Sequence, residues 1–279
     1  GGHRGLLSAV LAFPARRSSD LADAELLAVV KADGYGHGLV PSARAAHAAG
    51  ASWVHTAVLA EALQLRAAGV PGRILAWLAA PGERWDDAIA ADVDVSAAAV
   101  WAVDEIAAAA REVDRPARLH LKVDSGLGRS GATVTDWPSL VDTALKAEAE
   151  GVVEVVGLWS HFAIADAPAH PTVARQHAVF QDAVAFAEAR GVSPEVRHLA
   201  NSAATLTLPQ THFDLVRPGI AVYGLSPVPD QASSAELGLR PAMSVRARLS
   251  LVKRVDAGQG VSYGHAYVTD RMTSLGLVP

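Results

Sequence analysis

Residues 29–38, with the sequence VVKADGYGHG, decide how the fold of this chain is interpreted. The preceding apolar run, residues 26–30, is short and rich in Val and Leu, which predicts a buried β-strand rather than a helix. Three glycines then require the chain to turn, so Lys31 lies where a strand opens into a loop. At that edge of a parallel barrel a partly desolvated lysine can lose its proton and form a Schiff base. Taken alone, the stretch favours the alternative of an ordinary surface turn with a solvated lysine.

The composition is that of a globular protein that binds a small molecule. Apolar residues make up 51% and charged residues 19% of the 279 residues, which excludes a disordered chain. The formal net charge of −5 arises without an acidic block or a basic stripe, so we expect neither nucleic acid nor a membrane as a partner. The absence of cysteine excludes disulfides, thiolate nucleophiles and cysteine-based zinc sites, and no metal site is predicted. We expect a cytoplasmic location.

The hydrophobic pattern predicts an α/β fold, a (β/α)₈ TIM barrel followed by the beginning of a β-rich second domain. Residues 1–23 do not share the later pattern and are interpreted as a non-native or disordered lead, residues 24–228 as the barrel, and residues 229–279 as an incomplete β-rich domain. The main alternative is a doubly wound sheet. The eight predicted strands are 26–30, 53–57, 73–77, 93–95, 118–123, 153–159, 195–199 and 213–216. Segments with helical periodicity between them are 41–49, 59–68, 98–113, 138–149 and 172–189.

Side chains that suit an anionic, phosphorylated ligand follow five of these strands. In a TIM barrel the phosphate binds at the loops after strands seven and eight. There Ser202 can donate its hydroxyl, and the amides of Gly219 and Ile220 can point at a phosphate. The residues at the strand exits are Lys31, Tyr35, Lys122, Asp124, Arg129, His161, Asn201, Ser202, Arg217 and Gly219.

Each of these residues also has a purely structural explanation. His161 would be an ordinary buried histidine, Arg217 a member of a surface salt bridge, and the pair at 201–202 a helix cap. Lys122 and Asp124 share one face of a strand and would form only an ion pair.

Residues 126–131, GLGRSG, match the GxGxxG pattern of a dinucleotide site after a strand. That fingerprint also requires an acidic residue at the exit of the next strand, which here ends at Ser160 and His161. A nicotinamide-dependent oxidoreductase is therefore only a weak alternative.

Five motifs together resemble bacterial alanine racemase. They are VVKADGYGHG at 29–38, KVDSGLGRSG at 122–131, SHFAIAD at 160–166, ANSAA at 200–204 and RPGIAVYGL at 217–225. The resemblance implies pyridoxal 5′-phosphate on the barrel and a homodimer with shared active sites. It also implies interconversion of L-alanine and D-alanine through a carbanion at Cα, supplying D-alanine for peptidoglycan. Other pyridoxal phosphate barrel proteins remain alternatives: a broad amino-acid racemase, a cofactor-homeostasis protein or a decarboxylase.

The resemblance also implies a role for each motif residue. Lys31 would hold the cofactor as a Schiff base and act as one of two bases. Arg129 would orient the substrate carboxylate, and His161 would hydrogen-bond toward Arg217, which would face the pyridine nitrogen. The other cofactor-binding positions would be Tyr35, Asn201, Ser202, Gly219, Ile220 and Tyr223.

Two further expectations follow from these roles. Lys122 resembles a lysine that is carbamylated in many members, and CO₂ would convert this cation into an anion able to pair with Arg129. Arg217 stays protonated and so leaves the pyridine nitrogen unprotonated, which makes the ring a weaker electron sink, suited to returning the proton.

The sequence departs from the family at the second base. The family uses a tyrosine in the β domain of the neighbouring subunit, and neither Tyr263 nor Tyr267 matches it. We therefore expect a fragment, truncated at both ends, that binds the cofactor weakly and racemises alanine poorly.

Overall fold

The computed structural model describes residues 24–279, which form two compact units. Unit 1 ends at Met243 and unit 2 is Ser244–Pro279. The predicted lead, residues 1–23, lies outside the described residues. The predicted boundary between barrel and second domain at 228–229 stays a prediction.

Eight parallel strands form a closed barrel in unit 1. Their hydrogen-bonded order follows the sequence, from β7 down to β1, with β8 beside β1. The ring closes between β7 and β8, where the backbone N–H of Asp214 donates to the carbonyl of Arg197 (3.1 Å) and that of Arg217 donates to Ala200 (2.9 Å). This order confirms the predicted barrel, because a doubly wound sheet reverses its strand order at a switch point. The strands are β1 (Glu25–Val29), β2 (Trp53–Val58), β3 (Arg73–Leu78), β4 (Asp94–Ala97), β5 (Ala117–Lys122), β6 (Val153–Trp159), β7 (Val196–His198) and β8 (Leu215–Val216).

Helices connect the strands and bury one face against the barrel. In the helix Val100–Glu112, Ala102, Ile106 and Ala110 are buried at the spacing of four residues that one helix face requires. The α-helices are α1 (Leu39–Ala48), α2 (Leu59–Ala67), α3 (Trp85–Ala90), α4 (Val100–Glu112), α5 (Trp137–Ala149), α6 (Pro171–Ala189) and α7 (Ser202–Thr207). The sequence predicted all except α3 and α7, which have six residues each, too few to display a helical period.

The inside of the barrel contains both an apolar cluster and buried polar side chains. Alternate residues of each strand face inward. The apolar cluster is made of Leu27, Val29, Trp53, Leu75, Val196 and Leu215. The buried polar side chains on the strands include His55, Asp94, Ser96, His120, Lys122 and His198. Of these polar residues, His55 lines the cavity described below.

Unit 2 consists of short antiparallel strands, in agreement with the predicted β-rich second domain. Strand β9 (Leu251–Val255) pairs with β12 (Thr273–Leu277), and β10 (Gly260–Val261) pairs with β11 (Tyr267–Val268). Across residues 24–279 we find no helix that combines the length and the apolar character needed to span a lipid bilayer.

Candidate active site

A cavity of about 480 Å³ lies at the C-terminal ends of the barrel strands. This is the end of a TIM barrel at which active sites are built. Nine of the predicted site residues line it: Lys31, Tyr35, Arg129, His161, Asn201, Ser202, Arg217, Gly219 and Ile220. Lys122 and Tyr223 are not among the lining residues.

Lys31 begins an unusual turn directly after the first strand. Ala32, Asp33 and Tyr35 have φ angles of 53°, 54° and 54°. This left-handed conformation costs roughly 1–2 kcal/mol for each residue other than glycine. The Asp33 carboxylate helps to hold the turn by accepting the N–H of Leu39 at 2.7 Å. Backbone strain of this kind concentrates at functional sites.

Burial, and secondly the charge of Arg129, lower the pKa of Lys31. A lowered pKa increases the neutral fraction of the amine, which is the nucleophilic form. Lys31 therefore lines the cavity as a half-buried residue rather than as a fully solvated turn lysine.

Arg217 is a buried cation whose two terminal nitrogens form hydrogen bonds inside the barrel. Its Nη2 donates to the carbonyl oxygens of Ser160 (2.7 Å) and Leu199 (3.3 Å), and its Nη1 donates to Nδ1 of His198 (3.0 Å). Burial, and secondly the charge of Arg129, lower its pKa to about 9, so the guanidinium remains charged at pH 7. No carboxylate of the described residues forms an ion pair with it, which rules out the surface salt bridge within residues 24–279.

His161 adjoins this arginine. Its Nδ1 lies 3.1 Å from Nη2 of Arg217, and its ring lines the cavity. Burial, then the charge of Arg217, holds the pKa of His161 well below its usual range, so the neutral ring accepts the arginine hydrogen bond. The predicted contact between the two residues is present.

One corner of the cavity brings together the loops after β1, β7 and β8. The hydroxyl oxygen of Ser202 accepts the N–H of Gly219 at 2.7 Å. A Cβ atom at Gly219 would lie 2.4 Å from the Tyr35 hydroxyl oxygen, so a larger residue at this position would displace the Tyr35 side chain. Asn201 caps α7 by accepting the N–H of Ala204 at 3.1 Å. The helix cap predicted for residues 201–202 is therefore formed by Asn201. The Gly219 amide, which the sequence analysis expected to point at a phosphate, donates instead to Ser202.

Lys122 lies beneath the cavity between two indole rings. Its Nζ is 4.5 Å from the ring centre of Trp77 and 4.2 Å from that of Trp159, and it donates to the Ser130 hydroxyl at 2.6 Å. Burial first, then the charges of Arg129 and Arg217, lower its pKa to about 7. A lowered pKa increases the neutral fraction of the amine near pH 7.

Asp124 explains the GxGxxG stretch. Its Oδ1 accepts the N–H groups of Gly126 (2.9 Å), Leu127 (2.8 Å) and Gly128 (3.2 Å). These are the amides that a pyrophosphate would need. Because a carboxylate of the chain already binds them, the geometry opposes the nicotinamide alternative.

Arg129 and Tyr223 complete the predicted set. The guanidinium carbon of Arg129 lies 5.0 Å from the ring centre of Trp77 at the cavity wall. Tyr223 is buried, donates its hydroxyl to the carbonyl of Val29 (3.2 Å), and has its ring 4.9 Å from that of Tyr35. Tyr223 thus supports Tyr35 from behind the cavity.

Comparison with known proteins agrees with this geometry. The family model "Alanine racemase, N-terminal domain" matches residues 14–227, and "Alanine racemase, C-terminal domain" matches residues 242–279. The chain belongs to the alanine racemase family. The second match argues against a barrel protein without a β domain, such as a cofactor-homeostasis protein.

Individual alanine racemases align over most of the chain. One from Frankia casuarinae is 61% identical over 92% of this chain and 67% of its own length. One from Streptomyces coelicolor is 58% identical over 92% of this chain and 67% of its length. The solved alanine racemase from D-cycloserine-producing Streptomyces lavendulae is 57% identical, with a TM-score of 0.94 over 98% of this chain and 72% of that one.

Alanine racemases depend on pyridoxal 5′-phosphate, and the residues present fit this cofactor. The cavity contains a lysine of lowered pKa for its aldehyde and two arginines for its charge. His55 also lines the cavity, and its buried Nδ1 has no hydrogen-bond partner among the described residues.

Sequence reasoning missed the cavity residues that belong to the strands themselves rather than to the loops after them. They are Val29 on β1, His55 on β2, Trp77 on β3 and Trp159 on β6. His198 on β7 was missed as well, although it holds Arg217. They could have been found from the alternation of side chains along each strand, because every second residue points into the barrel.

Proposed function

We propose that this chain interconverts L-alanine and D-alanine with pyridoxal 5′-phosphate. The observation that carries the proposal is one cavity shared by Lys31, an amine of lowered pKa, and Arg217, a buried cation that no carboxylate of residues 24–279 neutralises. When bound, the cofactor supplies a conjugated ring that stabilises negative charge at the α-carbon of an amino acid.

Lys31 would hold the cofactor covalently through Nζ and, once released, would act as one of two bases that exchange the α-proton of the substrate, on one face of the α-carbon. The lowered pKa supports both roles, because only the neutral amine can attack a carbonyl carbon or accept a proton. The left-handed turn after Lys31 fixes the backbone position from which the Lys31 side chain extends.

Arg217 would donate a hydrogen bond to the cofactor's ring nitrogen and would keep this nitrogen unprotonated. Its burial and its hydrogen bonds to two carbonyls hold the guanidinium in one orientation. A carboxylate at this position would strengthen the electron sink and favour decarboxylation or transamination. A cationic donor favours return of the proton to the α-carbon, which distinguishes a racemase from a decarboxylase on the same fold.

The remaining site residues would position the two ligands. Arg129 would orient the substrate carboxylate, and His161 would keep Arg217 in place. Lys122 would react with CO₂ as a neutral amine, because a carbamate between Arg129 and Arg217 exchanges repulsion for attraction. The phosphate would be held at the corner formed by Tyr35, Asn201, Ser202, Gly219 and Ile220, with Tyr223 behind it.

The family suggests a homodimer with shared active sites, a cytoplasmic location and a supply of D-alanine for peptidoglycan. Sedimentation of the purified chain over a range of concentrations measures the first of these.

Borohydride reduction after incubation with the cofactor tests the chemical core of the proposal. We expect a pyridoxyl adduct that peptide mapping places on Lys31, and loss of this adduct in Lys31→Ala. Lys146, an exposed lysine of α5, provides a matched control through Lys146→Ala, which should keep the adduct. Formation of D-alanine from L-alanine measures turnover in the same samples. An unmodified Lys31 after reduction contradicts the proposal.

A further inference from the structure

A line of buried side chains connects Arg217 to the opposite end of the barrel interior. Nη1 of Arg217 lies 3.0 Å from Nδ1 of His198, whose Nε2 lies 3.0 Å from Nδ1 of His120. Nε2 of His120 then lies 3.3 Å from Oδ2 of Asp94. We call these four residues the histidine bridge. All four are buried, with His198, His120 and Asp94 at 0% exposure.

The two ends of the bridge fix where its protons lie. Arginine can only donate, so Nδ1 of His198 accepts and the proton of a neutral ring sits on Nε2. That proton points at Nδ1 of His120, which therefore accepts, so the His120 proton also sits on Nε2 and points at the Asp94 carboxylate. Burial and then the charge of Arg217 hold the pKa of His198 well below its usual range, which keeps one proton on this ring.

The environment of each ring supports a single orientation. The indole of Trp159 stacks on His198 with the two planes 4° apart, and the indole of Trp53 meets His120 edge-on at 87°. Rings held in this way cannot flip to exchange their two nitrogens without disturbing the packed interior.

Asp94 is itself held by two further cations. Nε of Arg118 lies 3.2 Å from Oδ1 of Asp94, and Nη1 of Arg73 lies 3.7 Å from the same oxygen. Arg118 also pairs with Glu195 at 2.6 Å and with Glu154 at 3.6 Å. Oδ1 faces both arginines, whereas Oδ2 faces Nε2 of His120 and lies 3.4 Å from Nε of Arg118.

We propose that Asp94 is a positioning residue for Arg217, which it orients through the fixed Nε2–H tautomers of His120 and His198. The bridge gives Arg217 a buried anion without placing a carboxylate against it. The guanidinium therefore keeps donors free to face the cavity. That consequence for catalysis rests on the proposed function, whereas the tautomers belong to the protein alone.

Replacing Asp94 by asparagine should reverse the direction of the hydrogen bonds along the histidine bridge. The new amide has one acceptor, and Arg118 and Arg73 require it, so its NH₂ group would face Nε2 of His120. The His120 proton must then move to Nδ1, and that of His198 must follow to its own Nδ1. Two donors would meet where Arg217 and His198 now share a hydrogen bond, and this contact would be lost.

Long-range ¹H–¹⁵N NMR of protein labelled with [¹⁵N]histidine measures these protons directly, without cofactor or substrate. The chain has 11 histidines, and variants that remove one histidine each assign the two signals. In the unaltered chain we expect both rings to be neutral and protonated on Nε2. In Asp94→Asn we expect the His198 proton on Nδ1.

Asp214→Asn provides the matched control. Asp214 pairs with Arg197 at 2.7 Å where the barrel closes, outside the bridge, so its replacement should lower stability and leave the tautomer of His198 unchanged. A doubly protonated or Nδ1-protonated His198 in the unaltered chain overturns the proposal, even if no variant folds. An Nε2–H tautomer that persists in folded Asp94→Asn also overturns it. Neither result depends on racemisation, so the two proposals can fail separately.

Discussion

At the scale of single residues, Lys122 shows how burial and neighbouring cations act in the same direction on one charge. Its pKa of about 7 compares with an ordinary lysine value of about 10.4 in the unfolded chain. Between these values the unfolded state binds more protons than the folded state, so the free energy of unfolding rises with pH. Below pH 7 both states are protonated and above about 10.4 both are neutral, so the effect is confined to this window.

Lys122→Met should remove this pH dependence. We expect the difference in unfolding free energy between the two proteins to change by up to about 1.4 kcal/mol per pH unit inside the window and to level off outside it. Urea unfolding at a series of pH values, in buffers freed of CO₂, measures this difference. Lys31 also has a lowered pKa and adds a slope of the same sign, but it is present in both proteins. Lys146→Met, at an exposed site, is the control and should leave the pH dependence of the unfolding free energy unchanged. If the curves of unfolding free energy against pH for Lys122→Met and the unaltered chain are parallel, the burial argument is refuted.

At the scale of elements, the sequence predicted the repeated strands of the barrel and missed the contacts that join side chains of different strands. The eight strands could be counted because each is an apolar run between turns, and their exits named Lys31, His161 and Arg217 correctly as cavity residues. The histidine bridge could not be found in the same way. His120 and His198 lie inside strands, at inward positions that hydrophobic residues normally occupy, and only the closed barrel brings β4, β5 and β7 into line.

Strand β6 contains the residue that makes room for this bridge. His120 of β5 pairs with Gly157 of β6, where the register shifts by one residue. A Cβ atom on Gly157 would lie 2.0 Å from Nδ1 of His120, which is far inside contact distance. Glycine at this position is therefore required by the imidazole beside it, and not by its own backbone angles.

Gly157→Ala should destabilise the barrel by roughly 1–3 kcal/mol, the usual cost of overpacking a core. Urea unfolding measures the change. If the imidazole causes it, the same substitution in a His120→Ala background should cost much less, because the added methyl group would then enter the space left by the ring. An equal cost in both backgrounds would show that the strain arises elsewhere in β6.

At the scale of the whole molecule, the site and the hydrophobic core belong to the same unit. All residues that line the cavity lie between Val29 and Pro229, and the main core cluster extends no further than Leu239. In residues 244–279 the only buried side chain is Thr269, and apolar side chains such as Val245 and Val252 are 90% and 61% exposed. The cofactor chemistry attributed to Lys31 should therefore require nothing from unit 2.

A chain that ends at Met243 should fold and react with pyridoxal 5′-phosphate at Lys31. We expect borohydride reduction to leave the pyridoxyl adduct on Lys31 in this shorter chain, and we expect its urea unfolding midpoint to match that of the main transition of the longer one. The reason is that every buried residue of the two apolar clusters lies before Met243. Lys31→Ala in the shorter chain controls for modification of other lysines. Loss of the adduct from a folded shorter chain would show that unit 2 contributes to the site, and a lower midpoint would show that it contributes to the stability of the barrel.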